Sequence, residues 1–215
     1  MTLHDHRSRF ERSLEPFVDW CARREVDPNV VSVFALVITS LGGLGFYLSS
    51  TERWWLLPIA AVVLLVGAAL DAADGLLARA TGQASPLGDY LDHAFDRFAD
   101  VAVLVGLTFS PWVAFEIGLF AIVGTLLTSY MGTQAQAVGV GRDYGGLVGR
   151  ADRMFVIFWG TLGQGVLTGL SYPLPWGLNL VEITVGWIAL AGTFTAVQRF
   201  WAALQDLRDD PANAK

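Results

Sequence analysis

"WWLLPIAAVVLLVGAALDAADGLLARATGQASPLGDYLDHAFDRFADVAVLVGLTF", from Trp54 to Phe109, sets two long apolar runs around a centre that carries Asp71, Asp74, Asp89, Asp92, Asp96 and Asp100. A bilayer core takes about 20 helical residues. The runs therefore read as two membrane helices, 54–81 and 87–109, joined by the polar turn "TGQASP". An aspartate at the centre of such a helix costs roughly 2.5–3.5 kcal/mol on insertion scales, and less near the interface. Converging carboxylates also repel one another. A group of this kind either takes up protons or holds cations.

Working outward from the hairpin, four further apolar stretches read as spans, at 30–50, 112–138, 150–170 and 178–203. "SP" at Ser110-Pro111 separates the third span from the fourth. The expected fold is all-α and polytopic, six transmembrane helices in a single membrane domain covering 1–215. A chain of 215 residues that is 53% hydrophobic, with mean hydropathy +0.48, fits that class better than a soluble one. Six spans put both termini on one side. With that side inside, the outer loops carry only Arg53 of the 14 cationic residues, a strong positive-inside bias. The active face is then expected toward the cytoplasm. Trp54, Trp55, Trp112 and Trp176 are expected to form an outer aromatic belt.

Ahead of the first span, Phe10, Leu14, Phe17, Val18 and Cys21 recur at helical spacing, with Arg9, Arg12, Glu15, Asp19 and Arg23 elsewhere. Residues 8–25 read as an amphipathic helix, either lying on the membrane surface or packing on the cytoplasmic face of the bundle. A net charge of -6 argues against nucleic acid as a partner. The lone Cys21 excludes an intrachain disulfide.

At about 100° per residue, Asp71 and Asp74 lie about 60° apart on one helix, and Asp92 and Asp96 about 40° apart on the next. Gly75 and Ala78 share the Asp71 face, leaving a hollow under the carboxylates. Carboxylates without cysteine form a hard oxygen site, suited to Mg²⁺, Mn²⁺ or Ca²⁺. Four on two helices can bridge two divalent ions about 3.5–4 Å apart, an arrangement that clamps a phosphoryl group in an in-line displacement.

The full spacing is Asp71-x2-Asp74-Gly75-x2-Ala78-Arg79-x8-Gly88-x3-Asp92-x3-Asp96. It resembles the signature of the CDP-alcohol phosphotransferase family at every fixed position. Members transfer a phosphatidyl-type group from a CDP-linked lipid to a polar alcohol and release CMP. The resemblance implies two divalent cations, Mg²⁺ first and Mn²⁺ second. It implies Asp71, Asp74, Asp92 and Asp96 as ligands, with Asp96 also the general base. Asp74, Gly75, Ala78, Arg79 and Gly88 are implied in holding the CDP group, and a homodimer is implied as the assembly.

Other residues have quieter readings. Arg97 and Asp100, three apart, are expected to pair. Asp89 sits in a first helical turn, where the dipole favours an anion. His93 is about 100° from the Asp92 direction and reads as packing beside the ligands. Arg150, Arg153 and Arg199, near the inner ends of their spans, suit a phosphorylated acceptor. "GRADR" (149–153) resembles the "ERAER" segment of members that use inositol phosphate. Gly132, Thr133, Gln134, Ala135 and Gln136 stand where those members carry Lys-Ala-Arg-Ala-Glu, so glycerol 3-phosphate stays open beside inositol phosphate. Two other classes also use membrane carboxylates. An intramembrane prenyltransferase needs two separated aspartate motifs, and a cation-coupled transporter needs broken helices and repeated halves.

Overall fold

The computed structural model describes residues 3–140 and 149–209, with side chains from residue 12 onward except that of Trp176. Arg9, Phe10 and Trp176, named above for their side chains, and the inner-loop residues 141–148 lie outside that description. The described residues form seven α-helices: α1 Leu3–Arg23, α2 Pro28–Leu48, α3 Leu56–Ala80, α4 Pro86–Thr108, α5 Phe115–Ala137, α6 Arg150–Gly169 and α7 Leu180–Asp209. A short 3₁₀ turn, Pro175–Gly177, precedes α7. The protein is an all-helical, multi-pass membrane protein. Four helices, α2, α3, α5 and α7, are long and apolar enough to cross a bilayer. α4 and α6 have 23 and 20 residues, enough length at about 1.5 Å per residue, but carry the charges of the acidic site.

Helix boundaries follow local chemistry. Asp27 caps α2, its carboxylate accepting from Asn29 N at 2.8 Å, and Pro28 takes the first helical position. α3 ends at "TG", with Gly82 in the left-handed region at φ 67°. Ser85 then caps α4, accepting from Gly88 N at 3.2 Å, with Pro86 next.

The six helices after α1 close into a ring in which α2 packs on α3, α3 on α6, α6 on α7, α7 on α5, α5 on α4, and α4 back on α2. Chain neighbours α3 and α4 do not pack on each other: among the described residues, no Cα of one lies within 8 Å of a Cα of the other. α2 is the wedge between them. A Cβ added to Gly42 would lie 3.3 Å from Leu64 N on α3, and one added to Gly43 would lie 2.5 Å from the Ala102 carbonyl oxygen on α4. Gly106 closes the same contact from α4, where a Cβ would strike the Gly43 carbonyl. Consecutive glycines thus let one helix approach two partners, the way helices associate where lipid supplies no hydrophobic drive. Gly124 and Gly192 bring α5 and α7 together likewise, and Thr128 Oγ1 donates across that seam to the Gly192 carbonyl at 2.7 Å.

The buried apolar cluster, with Phe46, Leu57, Leu64, Val103, Leu107, Val181 and Val185, fills the end of the ring away from the aspartates. Outward faces carry Phe34, Val37, Val62, Leu65, Phe120 and Leu190, apolar and exposed, as a lipid-facing surface requires. Trp112 departs from the expected aromatic belt. It is 5% exposed, and its indole N–H donates to Ser49 Oγ at 2.8 Å, because a buried indole needs an acceptor. Trp55 is exposed as expected. Val18 and Cys21 of the first helix pack on Ala73 and Leu77 of α3. Phe17 and Trp20, stacked with ring centroids 6.3 Å apart, stay on the outer side of α1.

Candidate active site: an acidic cavity between α2, α3 and α4

The gap held open by α2 is a cavity of about 500 Å³. α3 supplies Asp71, Asp74, Gly75, Ala78 and Arg79; the turn supplies Gln83 and Ser85; α4 supplies Gly88, Asp89 and Asp92. α2 supplies its first turns, with Asp27, Asn29 and Ser32. These three α2 residues were not singled out from the sequence. "VDPN" marks a capped helix start, which locates the end of α2 but not what lies over it.

Asp71, Asp74 and Asp92 reach into the cavity from opposite walls, and each offers an oxygen within 4.8 Å of the others. Asp92, His93 and Asp96 form a second such set that shares Asp92. Asp74 is 5% exposed, and its Oδ2 is buried with no hydrogen-bond partner. An unpaired buried carboxylate oxygen is costly and calls for a cation or a proton. Oxygen donors converging from two helices, one of them orphaned, fit a hard divalent ion. At Gly75 an added Cβ would meet only Arg79 Nη1, at 3.4 Å, and at Gly88 only Ser85 Oγ and Asn29 Oδ1, at 3.5 and 3.8 Å. Both glycines therefore leave the cavity wall bare, open to close approach by a ligand.

The cationic candidates divide. Arg150, at the start of α6, enters the acidic cluster itself. Its Nη1 bonds Asp71 Oδ2 and lies 2.6 Å from Asp96 Oδ1. Arg153, one turn on, is buried and donates to the equally buried Asp100 at 2.7 Å. Arg97 reaches Asp100 at 3.5 Å, the expected pair, and also Asp96 at 3.4 Å. Asp100 thus gathers arginines from α4 and α6 into one network around its own buried carboxylate, a role that its i,i+3 spacing from Arg97 did not reveal. Arg199 lies elsewhere. It donates to the Thr128 carbonyl at 2.9 Å and lines a smaller cleft between α5 and α7 with Met131, Gln134 and Phe200. Gly132 makes room for it, since a Cβ there would lie 3.1 Å from Arg199 Nη1. His93 sits between Asp89 and Asp92, at 3.5 and 3.7 Å.

Residues 26–203 match the model of the CDP-alcohol phosphatidyltransferase family. The chain is 30% identical to the archaetidylinositol phosphate synthase of Pyrococcus horikoshii, over 94% of its own length and 96% of that protein's. It is 28% identical to the phosphatidylinositol phosphate synthase of Streptomyces avermitilis, over 90% and 78% of the two lengths. Its fold resembles that of the Mycobacterium tuberculosis phosphatidylinositol phosphate synthase solved with CDP-DAG bound, with TM-score 0.73 and 24% identity, covering 95% of this chain and 98% of that one. The same mycobacterial enzyme solved with manganese and citrate gives TM-score 0.72 at 24% identity, covering 93% and 91% of the two chains.

Proposed function

The chain belongs to the CDP-alcohol phosphatidyltransferase family, and from that premise we propose that it moves a diacyl- or dialkylglycerol phosphate group from a CDP-linked lipid to inositol phosphate, releasing CMP. The observation that carries this reading is the convergence of Asp71, Asp74 and Asp92 oxygens within 4.8 Å in a cavity between helices. Relatives named for inositol phosphate products, aligned over most of the chain, support the acceptor.

Asp71, Asp74, Asp92 and Asp96 would hold two divalent cations, Mg²⁺ or Mn²⁺, which when bound neutralise a diphosphate and polarise its phosphorus. Gly75, Ala78 and Gly88 leave room for the nucleotide to lie against the backbone. Arg79 presents a planar fork to the diphosphate and to the departing CMP phosphate. Asp96 takes the proton from the acceptor hydroxyl as the acceptor oxygen bonds to the lipid-bearing phosphorus. The bond from that phosphorus to the bridging oxygen breaks, and its electron pair leaves on CMP. Arg150 and Arg153 bind the acceptor's phosphate from the acidic network, and Arg199 does so from the cleft between α5 and α7. Arg153 does so from a fixed position, since Asp100 ties one of its nitrogens.

The reading includes the assembly around this chemistry. α4 and α6 join the four apolar helices as spans, six in one domain over 1–215. The acidic cavity faces the cytoplasm, where cytidine nucleotides are, and two chains form a homodimer. The test is an assay with radiolabelled CDP-lipid against a panel of polyol phosphates. Lipid product with inositol phosphate and none with glycerol 3-phosphate is the expected result. Product with glycerol 3-phosphate alone replaces the acceptor. No CMP-dependent reversal with any lipid sinks the transferase reading.

A further inference from the structure

We propose that Arg150 is a tethered cation of the acidic site, occupying the carboxylates of a second divalent ion until that ion, arriving with a nucleotide diphosphate, displaces it. This rests on the reading of the aspartates as ion ligands and adds an order of events to it.

The Arg150 guanidinium bonds Asp71 of α3 and lies 2.6 Å from Asp96 of α4, two helices whose backbones do not meet. Those two carboxylates belong to the two different ligand sets that share Asp92. The guanidinium therefore holds one oxygen in each set, Asp71 Oδ2 and Asp96 Oδ1, and not the whole of either carboxylate. An ion needing both must compete with it, since a carboxylate oxygen committed to a guanidinium is a weaker ligand.

Charge points the same way. Around the cavity and the network behind it, Asp27, Asp71, Asp74, Asp89, Asp92, Asp96 and Asp100 outnumber Arg79, Arg97, Arg150 and Arg153. On the Asp74 and Asp92 side Asp74 Oδ2 is buried with no hydrogen-bond partner, as Asp96 Oδ1 and Asp100 Oδ1 are on the arginine side. A second ion brings two more positive charges. A diphosphate supplies the matching anion, and Asp71 and Asp96 become available when Arg150 leaves them.

Arg150 is built to leave. Its Nε is buried without a hydrogen bond and lies 3.8 Å from Asp100 Oδ1, so its hold is incomplete. Arg153, on the next turn of α6, is anchored to Asp100 at 2.7 Å and keeps the helix start in place while the Arg150 side chain swings. The anion then nearest in kind to the carboxylates it gave up is the acceptor's phosphate. Nucleotide binding would so prepare the acceptor site.

The experiment is Mn²⁺ titration of the full chain in detergent, followed by electron paramagnetic resonance, with and without cytidine diphosphate as the probe. The wild type is expected to bind one Mn²⁺ per chain alone and two with cytidine diphosphate, the second seen by its spin coupling to the first. Arg150→Met is expected to bind the second Mn²⁺ without nucleotide, about tenfold or more tighter than the wild type does under the same condition. Arg150→Gln, which keeps a hydrogen-bonding head, is expected to do the same and guards against a folding defect in the first variant. Equal Mn²⁺ number and affinity in wild type and both variants overturns the proposal and leaves the ion-ligand reading standing. Two coupled ions in the wild type without nucleotide overturns it as well, with no variant needed. No Mn²⁺ bound by the wild type under either condition removes the ion-ligand reading and this proposal together.

Discussion

The two ends of the helical ring use polar groups in opposite ways. At the end away from the aspartates, polar groups of the connections and helix ends are matched in pairs. Trp112 donates to Ser49, Asn179 Nδ2 donates to the Trp112 carbonyl at 2.9 Å, Ala114 N donates to Glu182 at 3.0 Å, and Leu180 N donates to Gln164 at 2.8 Å. At the acidic end a cavity of about 500 Å³ stays open, carboxylates outnumber guanidiniums, and Asp74 keeps an oxygen with no hydrogen-bond partner. Satisfied polar groups rigidify, and unsatisfied ones store a demand for a ligand. One end therefore fixes the ring so that the other can remain incomplete.

Substitutions at the two ends should separate activity from stability. The largest effect is expected at the acidic end. Asp92→Asn should abolish transfer, and EDTA should do the same to the wild type, while the melting temperature in detergent stays at or above the wild-type value because a repelling charge is gone. Full turnover in EDTA would end the metal reading. Asp96→Asn should lower kcat by about 10²–10⁴-fold, the contribution of a general base, with CDP-lipid binding retained.

Trp112→Ala probes the closed end. It removes a buried ring and the partner of Ser49, and large-to-small changes of this kind cost about 3–5 kcal/mol. The expected outcome is a marked fall in melting temperature with near wild-type turnover per folded molecule. A variant as stable as the wild type would mean that this end does not fix the ring.

A smaller effect is expected at Arg199, in the cleft between α5 and α7. Arg199→Ala should raise KM for the acceptor by about 10- to 150-fold, from the loss of roughly 1.5–3 kcal/mol of charge-assisted hydrogen bonding, with kcat little changed. An unchanged acceptor KM would confine Arg199 to its bond with Thr128. The smallest effect concerns Cys21, which is 1% exposed and whose thiol is pushed above its ordinary value by burial. Maleimide at neutral pH should leave it unlabelled until the protein is unfolded, because thiolate is scarce and access is closed. Rapid labelling of the folded protein would show α1 coming away from α3.

Helix extents were legible because apolar runs, proline starts and the glycine after α3 are local signals. All seven helices lie within a few residues of the stretches read from the sequence, except that α1 begins earlier, at Leu3, and α7 runs on to Asp209. Asp71 with Asp74, and Asp92 with Asp96, were legible as pairs because helical spacing fixes angles on one helix. Relations between helices were less so. A short turn suggests that α3 and α4 pack as a hairpin, yet Gly42 and Gly43 insert α2 between them, and glycine spacing in one helix does not name its partner. Arg150 was readable as a cation near the inner face, but its place between Asp71 and Asp96 depends on α6 docking against α3. Trp112 follows the membrane-interface habit of its residue type by sequence, and the hydroxyl of Ser49, 63 residues away, draws it inside.

The closed ring also bears on how the protein is made. α3 and α4 emerge from the ribosome with their aspartates before α6 exists, so in the unfinished chain Arg97 is the one arginine of the Asp100 network already present. Arg150 and Arg153 arrive only after α5, and their arrival joins α6 to α3 and neutralises carboxylates on α3 and α4. The arginines of α6, rather than the apolarity of α4 itself, would then hold that acidic helix in place. A nascent chain halted after residue 140 is expected to hold α4 in the membrane less well than the whole protein, and protease protection of staged ribosome-bound fragments would register the difference. Biogenesis and catalysis would then draw on the same two arginines, the first to seat an acidic helix and the second to receive its substrate.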